Sequence, residues 1–74
     1  MDFNHYDEYK KIGLKIKELR KQKNMTQAEL AEKLDISISY LTKIEAKNCR
    51  KSFSLSILFD LAEILEVNIK YFFD

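Results

Sequence analysis

The residues of this chain best suited to specific chemistry lie close together between positions 38 and 43. Ser39 and Thr42 carry hydroxyls that both donate and accept hydrogen bonds, and Lys43 ends in a cation that only donates. Ile38 stands beside them with a purely apolar side chain. If the segment is helical, Leu41 and Ile44 point into a core and these four side chains point outward. An exposed isoleucine is unusual on a merely solvated face, although helices often expose one apolar residue.

Two short helices joined by a tight corner would position these side chains. Thr26 and Glu29 have the spacing of a capping box, which starts a helix that we expect to run to about Leu34. Ser37 can cap a second helix that runs to about residue 46. The corner needs a left-handed residue, and Asp35 tolerates that conformation better than most residues do. This is the layout of a helix-turn-helix, a motif with which proteins read DNA.

A preceding helix is predicted from about residue 6 to residue 22. Apolar residues recur there at three- and four-residue steps, at Tyr9, Ile12, Ile16 and Leu19. Gly13 in the middle of a helix costs about 1 kcal/mol relative to alanine, so we expect it to allow close packing against a neighbouring helix. We assign residues 1–8 to a flexible N-terminal extension and residues 9–74 to a single domain.

The C-terminal third predicts two more helices after a loop between residues 47 and 53. Asn48 is the candidate for a left-handed residue that ends the preceding helix. Ser54 can cap the fourth helix, and Asn68 can cap a short fifth helix that ends near Phe72. The predicted buried stripe of the fourth helix is formed by Leu55, Leu58, Leu61, Ala62 and Leu65.

Composition restricts the class of protein. Seventy-four residues allow one domain, and the absence of proline together with a single glycine favours an all-α structure. Cys49 is the only cysteine, so no disulfide within the chain is possible and a reducing cytoplasm is expected. No signal peptide or membrane span is evident. His5 is the only histidine and no phosphate-binding glycine loop exists, so we expect neither an enzyme nor a metal or other cofactor.

The charge is distributed in blocks although the formal net charge is only +1. Residues 10–51 contain twelve of the thirteen Lys and Arg residues and five acids, which gives that stretch a charge of +7. The flanking stretches 1–9 and 52–74 each carry a charge of −3. A basic block is typical of nucleic-acid binding, but a solvated lysine-rich face would look the same. The block coincides with the proposed helix-turn-helix, which favours the first interpretation.

From about residue 12 to residue 73 the chain resembles the Cro and phage-repressor family of helix-turn-helix regulators. The resemblance implies a compact five-helix fold of the lambda-repressor type. The sequence departs from the family pattern where glycine usually occupies the corner, here Asp35, and where relatives carry a glycine and a proline, here Lys47 and Phe53. The matching residues are Ile12-Gly13, Leu19-Arg20, Thr26-Gln27, Leu30-Ala31, Ile44-Glu45, Leu58, Leu61-Ala62 and Leu65 to Val67.

The resemblance also implies roles for individual residues. The third helix would lie in the major groove of double-stranded DNA, with Lys43 suited to guanine and Ile38 to a thymine methyl group. Gln27, at the start of the second helix, would bind a phosphate. Arg20 and Glu45 would form a structural ion pair between the first and third helices. The predicted base contacts are Ile38, Ser39, Thr42 and Lys43, and further backbone contacts are Tyr40, Lys47, Arg50 and Lys51.

The implied function is that of a transcriptional regulator, in the simplest case a repressor that binds a palindromic operator as a homodimer. The alternative is a protein-interaction module, such as an antitoxin whose DNA binding is secondary and whose protein partner is unknown. The C-terminal third offers more apolar surface than two helices can bury within one subunit. The predicted dimer interface consists of Ile64, Ile69, Tyr71, Phe72 and Phe73.

Overall fold

The computed structural model describes residues 5–48 and 52–74 and contains only helices within those ranges. The helices are α1 (Tyr6–Gln22), α2 (Gln27–Leu34), α3 (Ile38–Glu45), α4 (Leu55–Ile64) and a 3-10 helix (Ile69–Phe73). The all-α class predicted from the sequence is confirmed. The sequence predicts five helices, and the last of them is a 3-10 helix, so the described residues form four α-helices. The α1 helix begins at Tyr6, the residue at which the sequence predicts it to start, so residues 6–8 of the assigned N-terminal extension are helical.

Side-chain caps fix where the two helices of the helix-turn-helix begin. The Glu29 backbone N–H donates to Thr26 Oγ1 at 3.0 Å, and the Thr26 N–H donates to Glu29 Oε1 at 2.9 Å, so the predicted capping box is present. The hydrogen bond from the Thr26 backbone also lowers the pKa of the Glu29 carboxyl. At the start of α3, the Tyr40 N–H donates to Ser37 Oγ at 3.0 Å. These local contacts satisfy backbone donors that the helices cannot satisfy themselves.

The corner between α2 and α3 contains a left-handed aspartate, as the sequence predicts. Asp35 has φ 58° and ψ 45°. The N–H of Ile36 donates to the carbonyl oxygen of Ala31 at 3.0 Å, which closes the end of α2. The α3 helix ends at Glu45, close to the predicted residue 46, but Asn48 does not adopt the left-handed conformation predicted for it. The helix ends instead where Ala46 becomes extended, with φ −70° and ψ 144°.

The α1 and α3 helices pack at van der Waals distance where they cross. A Cβ atom added to Gly13 would lie 2.1 Å from the backbone oxygen of Ile44, far inside contact distance. The sequence predicts close packing at this glycine, and the structure identifies α3 as the neighbouring helix. Gly13 therefore determines how closely α3 can approach the rest of the domain.

One core receives side chains from all four α-helices and the 3-10 helix, and α2 packs against α3 and α4. Leu55 is 56% exposed, so the predicted buried stripe of α4 starts one turn later, at Leu58. Phe53 is buried before α4, where its ring packs edge-on against Tyr9 with the ring centroids 5.0 Å apart. The buried apolar residues are Ile12, Ile16, Leu19, Leu30, Ala31, Leu34, Leu41, Ile44, Phe53, Leu58, Leu61, Ala62, Leu65 and Phe72.

The 3-10 helix is attached to α1 by a lysine. The Lys15 ammonium donates to the Tyr71 carbonyl oxygen at 3.0 Å and also contacts the carbonyl oxygen of Asp74. The same ammonium lies 5.3 Å from the centroid of the Tyr71 ring. These contacts hold Phe72 over the core, where only 2% of its surface remains exposed.

Candidate nucleic-acid interface

The α3 helix has one fully buried face and one exposed face. Leu41 and Ile44 are 0% exposed, whereas Ile38 is 51% exposed. Ser39 and Lys43 are also exposed, on the side of the helix away from the core. The four predicted base-contacting residues, Ile38, Ser39, Thr42 and Lys43, therefore share an exposed helical surface.

A buried bidentate ion pair holds α3 to α1. Arg20 Nε lies 2.8 Å from Glu45 Oε2, and Arg20 Nη2 lies 2.9 Å from Glu45 Oε1. A third donor, Arg20 Nη1, reaches the Met25 carbonyl oxygen at 2.8 Å. The two charged residues are 7% and 2% exposed. The planar guanidinium matches the carboxylate fork, so this pair fixes the end of α3 in both position and rotation.

Gln27 extends this ion pair towards the protein surface. Its Nε2 donates to Glu45 Oε1 at 3.1 Å, and its Oε1 accepts from the Thr42 hydroxyl at 3.3 Å. The carboxylate of Glu45 has only acceptor atoms, so the amide nitrogen must be the atom that faces it. One N–H of the half-buried amide remains for another acceptor. Gln27 thus connects the buried pair to the exposed face of α3.

Two predicted contact residues use their hydroxyl hydrogens inside the protein. Thr42 Oγ1 lies 2.9 Å from the carbonyl oxygen of Ile38, one turn earlier on α3, besides its contact with Gln27. Tyr40 is half-buried against the core, and its hydroxyl donates to the Ser52 carbonyl oxygen at 3.3 Å. The phenol therefore links α3 to the chain leading into α4, whereas the sequence predicts a contact with the DNA backbone.

The remaining predicted backbone contacts are distributed unevenly. Lys47 is exposed just after α3. Arg50 and Lys51 lie outside the described residues. The acidic side chains of Glu29 and Glu32 are exposed on α2. Among the described residues, the cations on α3 and directly after it are thus Lys43 and Lys47.

The predicted dimer interface needs one correction. Phe72 is buried in the core of its own subunit, because the 3-10 helix folds back against α1, so it cannot contribute to an interface. Ile64, Ile69 and Tyr71 are half-buried and pack against the core. Phe73 is 60% exposed. Further apolar surface that the sequence does not predict lies on α4, where Leu55 and Phe59 are exposed by 56% and 53%.

Residues 5–48 and 52–74 contain no group of three or more histidine, cysteine or acidic side chains that could hold a metal ion. Within the same residues, no helix has the length and apolar character needed to cross a membrane. The exposed face of α3 and the polar contacts behind it remain the best defined candidate site.

The fold and this site define a helix-turn-helix domain. A family model described as helix-turn-helix matches residues 16–72. The transcriptional regulator SinR of Bacillus subtilis strain 168 is 36% identical over 63 residues, which cover 85% of this chain and 56% of SinR. The immunity repressor protein of Bacillus phage phi105 is 41% identical over 58 residues, which cover 78% of this chain and 39% of the repressor.

A solved structure is similar as well. The crystal structure of SinR, the master regulator for biofilm formation, in complex with DNA matches with a TM-score of 0.75 and 36% identity, over 85% of this chain and 98% of that one. This chain belongs to the Cro/phage-repressor type of helix-turn-helix proteins. It spans little more than half the length of the SinR sequence and less than half of the phage repressor.

Proposed function

We propose that this protein is a sequence-specific DNA-binding transcriptional regulator that acts in the cytoplasm and represses by occupying a promoter. The α3 helix would enter the major groove and α2 would cross the DNA backbone. The main observation in favour is the exposed face of α3, where Ile38 is 51% exposed beside polar and basic side chains. Membership of the Cro/phage-repressor type, and the similarity to a SinR structure in complex with DNA, support the same proposal.

Each exposed side chain of α3 suits a different feature of the groove. Lys43 donates only, which fits the O6 and N7 acceptors of guanine. Ile38 has no polar atom, so its useful contact is with the methyl group of thymine. Ser39 can donate or accept and fits several base edges. Differences among these side chains would set which sequence is preferred.

A second group of side chains would bind DNA of any sequence. Gln27 has one N–H that is not used by Glu45, and it lies at the start of α2, where the helix dipole favours an anion. Lys47, Arg50 and Lys51 are cations that follow α3 in the chain and would neutralise phosphates. Because phosphates are the same at every base pair, these contacts would raise affinity without selecting a sequence.

We also propose that two copies bind a roughly palindromic operator. The two α3 helices of a twofold dimer would then lie about 34 Å apart, one turn of DNA. The apolar surface in favour of self-association includes the exposed Phe73 and the partly exposed Ile64, Ile69 and Tyr71. A monomer in light scattering at working concentration, both with and without operator DNA, would overturn this part of the proposal.

The test of sequence reading starts with selection of binding sites from a random DNA pool. Binding of variants to matched and mismatched duplexes is then measured over a salt series. We expect Ile38→Ala and Lys43→Ala each to cost about 1–3 kcal/mol on the best site and to flatten discrimination at one or two base pairs. We expect binding to all sequences to weaken alike in the variants Gln27→Ala, Arg50→Ala and Lys51→Ala. Each should lower the salt slope by at most about one unit, with the charged residues giving the larger change.

Two outcomes would contradict the proposal. Selection that enriches no sequence would show that the domain does not read DNA. Undiminished discrimination by the Ile38 and Lys43 variants would show that α3 is not the reading helix, and would favour a protein-interaction module. Glu32→Ala, an exposed change on α2 and not on α3, is the control and should leave discrimination unchanged.

A further inference from the structure

The Thr42 hydroxyl has one hydrogen and two acceptors within reach inside the protein. Its Oγ1 lies 2.9 Å from the Ile38 carbonyl oxygen and 3.3 Å from Gln27 Oε1. A threonine in a helix commonly donates to the carbonyl oxygen one turn earlier. The hydrogen therefore points at one of these two atoms or is shared between them.

The atom of Gln27 that faces Thr42 is fixed by a third residue. Gln27 Nε2 lies 3.1 Å from Glu45 Oε1, and an ionised carboxylate can only accept. Rotating the amide by 180° would place its oxygen against this carboxylate and its NH₂ group against Thr42. The buried Arg20 binds both oxygens of the Glu45 carboxylate from the other side and holds it in place. Thr42 consequently meets two acceptors and no donor within the protein.

The outward side of the Thr42 oxygen therefore presents only lone pairs. Turning the hydrogen outward would break the contacts with both the Ile38 carbonyl and Gln27 Oε1, whereas accepting a hydrogen bond from outside would break neither. Thr42 is exposed on the same face of α3 as Lys43. A donor group of a ligand can form a hydrogen bond with this oxygen without breaking either internal contact. An acceptor group of a ligand would face only the lone pairs of the oxygen.

We infer that Thr42 is a specificity-determining residue that accepts a hydrogen bond from an exocyclic amino group in the major groove. Adenine N6 and cytosine N4 are the donors that bases present there, whereas guanine O6 and thymine O4 are acceptors. This inference rests on the proposed function, in which α3 lies in the major groove. We therefore expect weaker binding when a base substitution in the DNA replaces the amino group of the contacted base with a carbonyl group.

The neighbouring side chains of the same face behave differently. Ser39 is exposed and its hydroxyl makes no hydrogen bond within the described residues, so it is free to donate or to accept. Lys43 only donates. The polar face of α3 thus combines an acceptor at Thr42, a donor at Lys43 and an adaptable group at Ser39. Ser39 is the internal comparison for Thr42, because it carries a hydroxyl without an internal acceptor among the described residues.

The experiment measures binding to the duplex that the wild-type protein selects from a random pool. Each adenine in turn is replaced by purine, which lacks the N6 amino group, and each cytosine by 2-pyrimidinone, which lacks the N4 amino group. We expect one replacement in each half-site to weaken wild-type binding about three- to tenfold beyond its effect on Thr42→Val, the range of one neutral hydrogen bond. Thr42→Ser keeps the hydroxyl and should respond like the wild type.

The outcomes separate this inference from the function on which it rests. Equal binding of selected and scrambled duplexes by the wild type would overturn the proposed function and this inference together. If the wild type discriminates but Thr42→Val keeps the same sensitivity to every analogue, only the role of Thr42 is wrong. Thr42→Val should lose discrimination at the base that Thr42 contacts. If the selected sequence carries guanine or thymine at that base, the inferred role of Thr42 is wrong as well. Glu32→Ala, an exposed change on α2, is the control and should keep the analogue response of the wild type.

Discussion

The two faces of α3 differ in what surrounds them. On the inner face, Leu41 and Ile44 are fully buried and Glu45 binds Arg20 through two hydrogen bonds. On the outer face, Ile38 is half exposed and the Ser39 hydroxyl makes no hydrogen bond within the described residues. The inner face therefore contributes to folding, and the outer face contributes little.

This difference allows specificity and stability to change separately. A substitution on the outer face removes little packing, so the domain can tolerate it while the preferred DNA sequence changes. A substitution on the inner face moves or loosens the whole helix. Gln27 and Thr42 connect the two faces, because their hydrogen bonds run from the buried carboxylate to the exposed surface. A change to either residue is therefore expected to affect both stability and DNA binding.

The largest loss of stability is expected from breaking the buried ion pair. Glu45→Ala leaves the Arg20 guanidinium buried without its carboxylate, and we expect the free energy of unfolding to fall by on the order of 3 kcal/mol. Urea unfolding followed by circular dichroism measures this change. Glu32→Ala removes an exposed acid and is the control, with an expected effect within about 0.5 kcal/mol.

A paired replacement sharpens that prediction. Arg20→Met combined with Glu45→Leu removes both charges, so neither is left buried and unpaired. The double variant should recover most of the stability that either single change to alanine loses. If the double variant is as unstable as the sum of the singles, the cost comes from lost packing and not from a stranded charge.

Gly13→Ala tests the packing of α1 against the inner face. The added Cβ would lie 2.1 Å from the Ile44 backbone oxygen, so the two helices must separate. Overpacking of this kind costs up to about 3 kcal/mol, and the better helix propensity of alanine returns about 1 kcal/mol, so we expect a net loss of about 2 kcal/mol. Thermal unfolding measures it. Lys11→Ala, an exposed change on the same helix, should be nearly neutral, and equal stability of both variants would contradict the expected clash.

The same chemical change on opposite faces of α3 tests whether only the inner face contributes to stability. Ile44→Val removes one methyl group from a fully buried side chain and should cost about 1 kcal/mol. Ile38→Val removes the same group from a side chain that is 51% exposed and should change the free energy of unfolding by less than about 0.5 kcal/mol. Both are measured by urea unfolding under one condition. Equal losses would mean that the outer face is also packed.

Features that depend on neighbours in the sequence were predictable. The caps at Thr26 and Ser37 involve residues at most three positions away, so the local pattern identifies them. The left-handed Asp35 follows from the corner geometry in the same way. Close packing at Gly13 was expected because glycine is otherwise unfavourable in a helix, although its partner helix could not be named from the pattern alone.

Features that depend on how distant segments dock were not predictable from periodicity. Phe72 is buried because the 3-10 helix returns to α1, while the neighbouring Phe73 is exposed, and a run of apolar residues does not distinguish the two. Leu55 fits the apolar period of α4 but lies beyond the edge of the core. The contact between Thr42 and Gln27 joins residues fifteen positions apart, and it gave no signal in the sequence.

The smallest expected effect concerns the corner that joins α2 to α3. Asp35 has φ 58°, a conformation that costs a residue with a Cβ atom more than it costs glycine. Asp35→Gly relieves this cost but also gains freedom in the unfolded chain, so we expect a net stabilisation of only about 0.5 kcal/mol. Asp35→Asn removes the same charge while keeping a Cβ, and any gain in DNA affinity shared by both variants comes from the lost charge.

Because the inner face holds α3 in place, Asp35→Gly should leave discrimination between matched and mismatched duplexes unchanged. A changed preference in the glycine variant but not in the asparagine variant would show that the corner, and not the buried face, sets the direction of the reading helix.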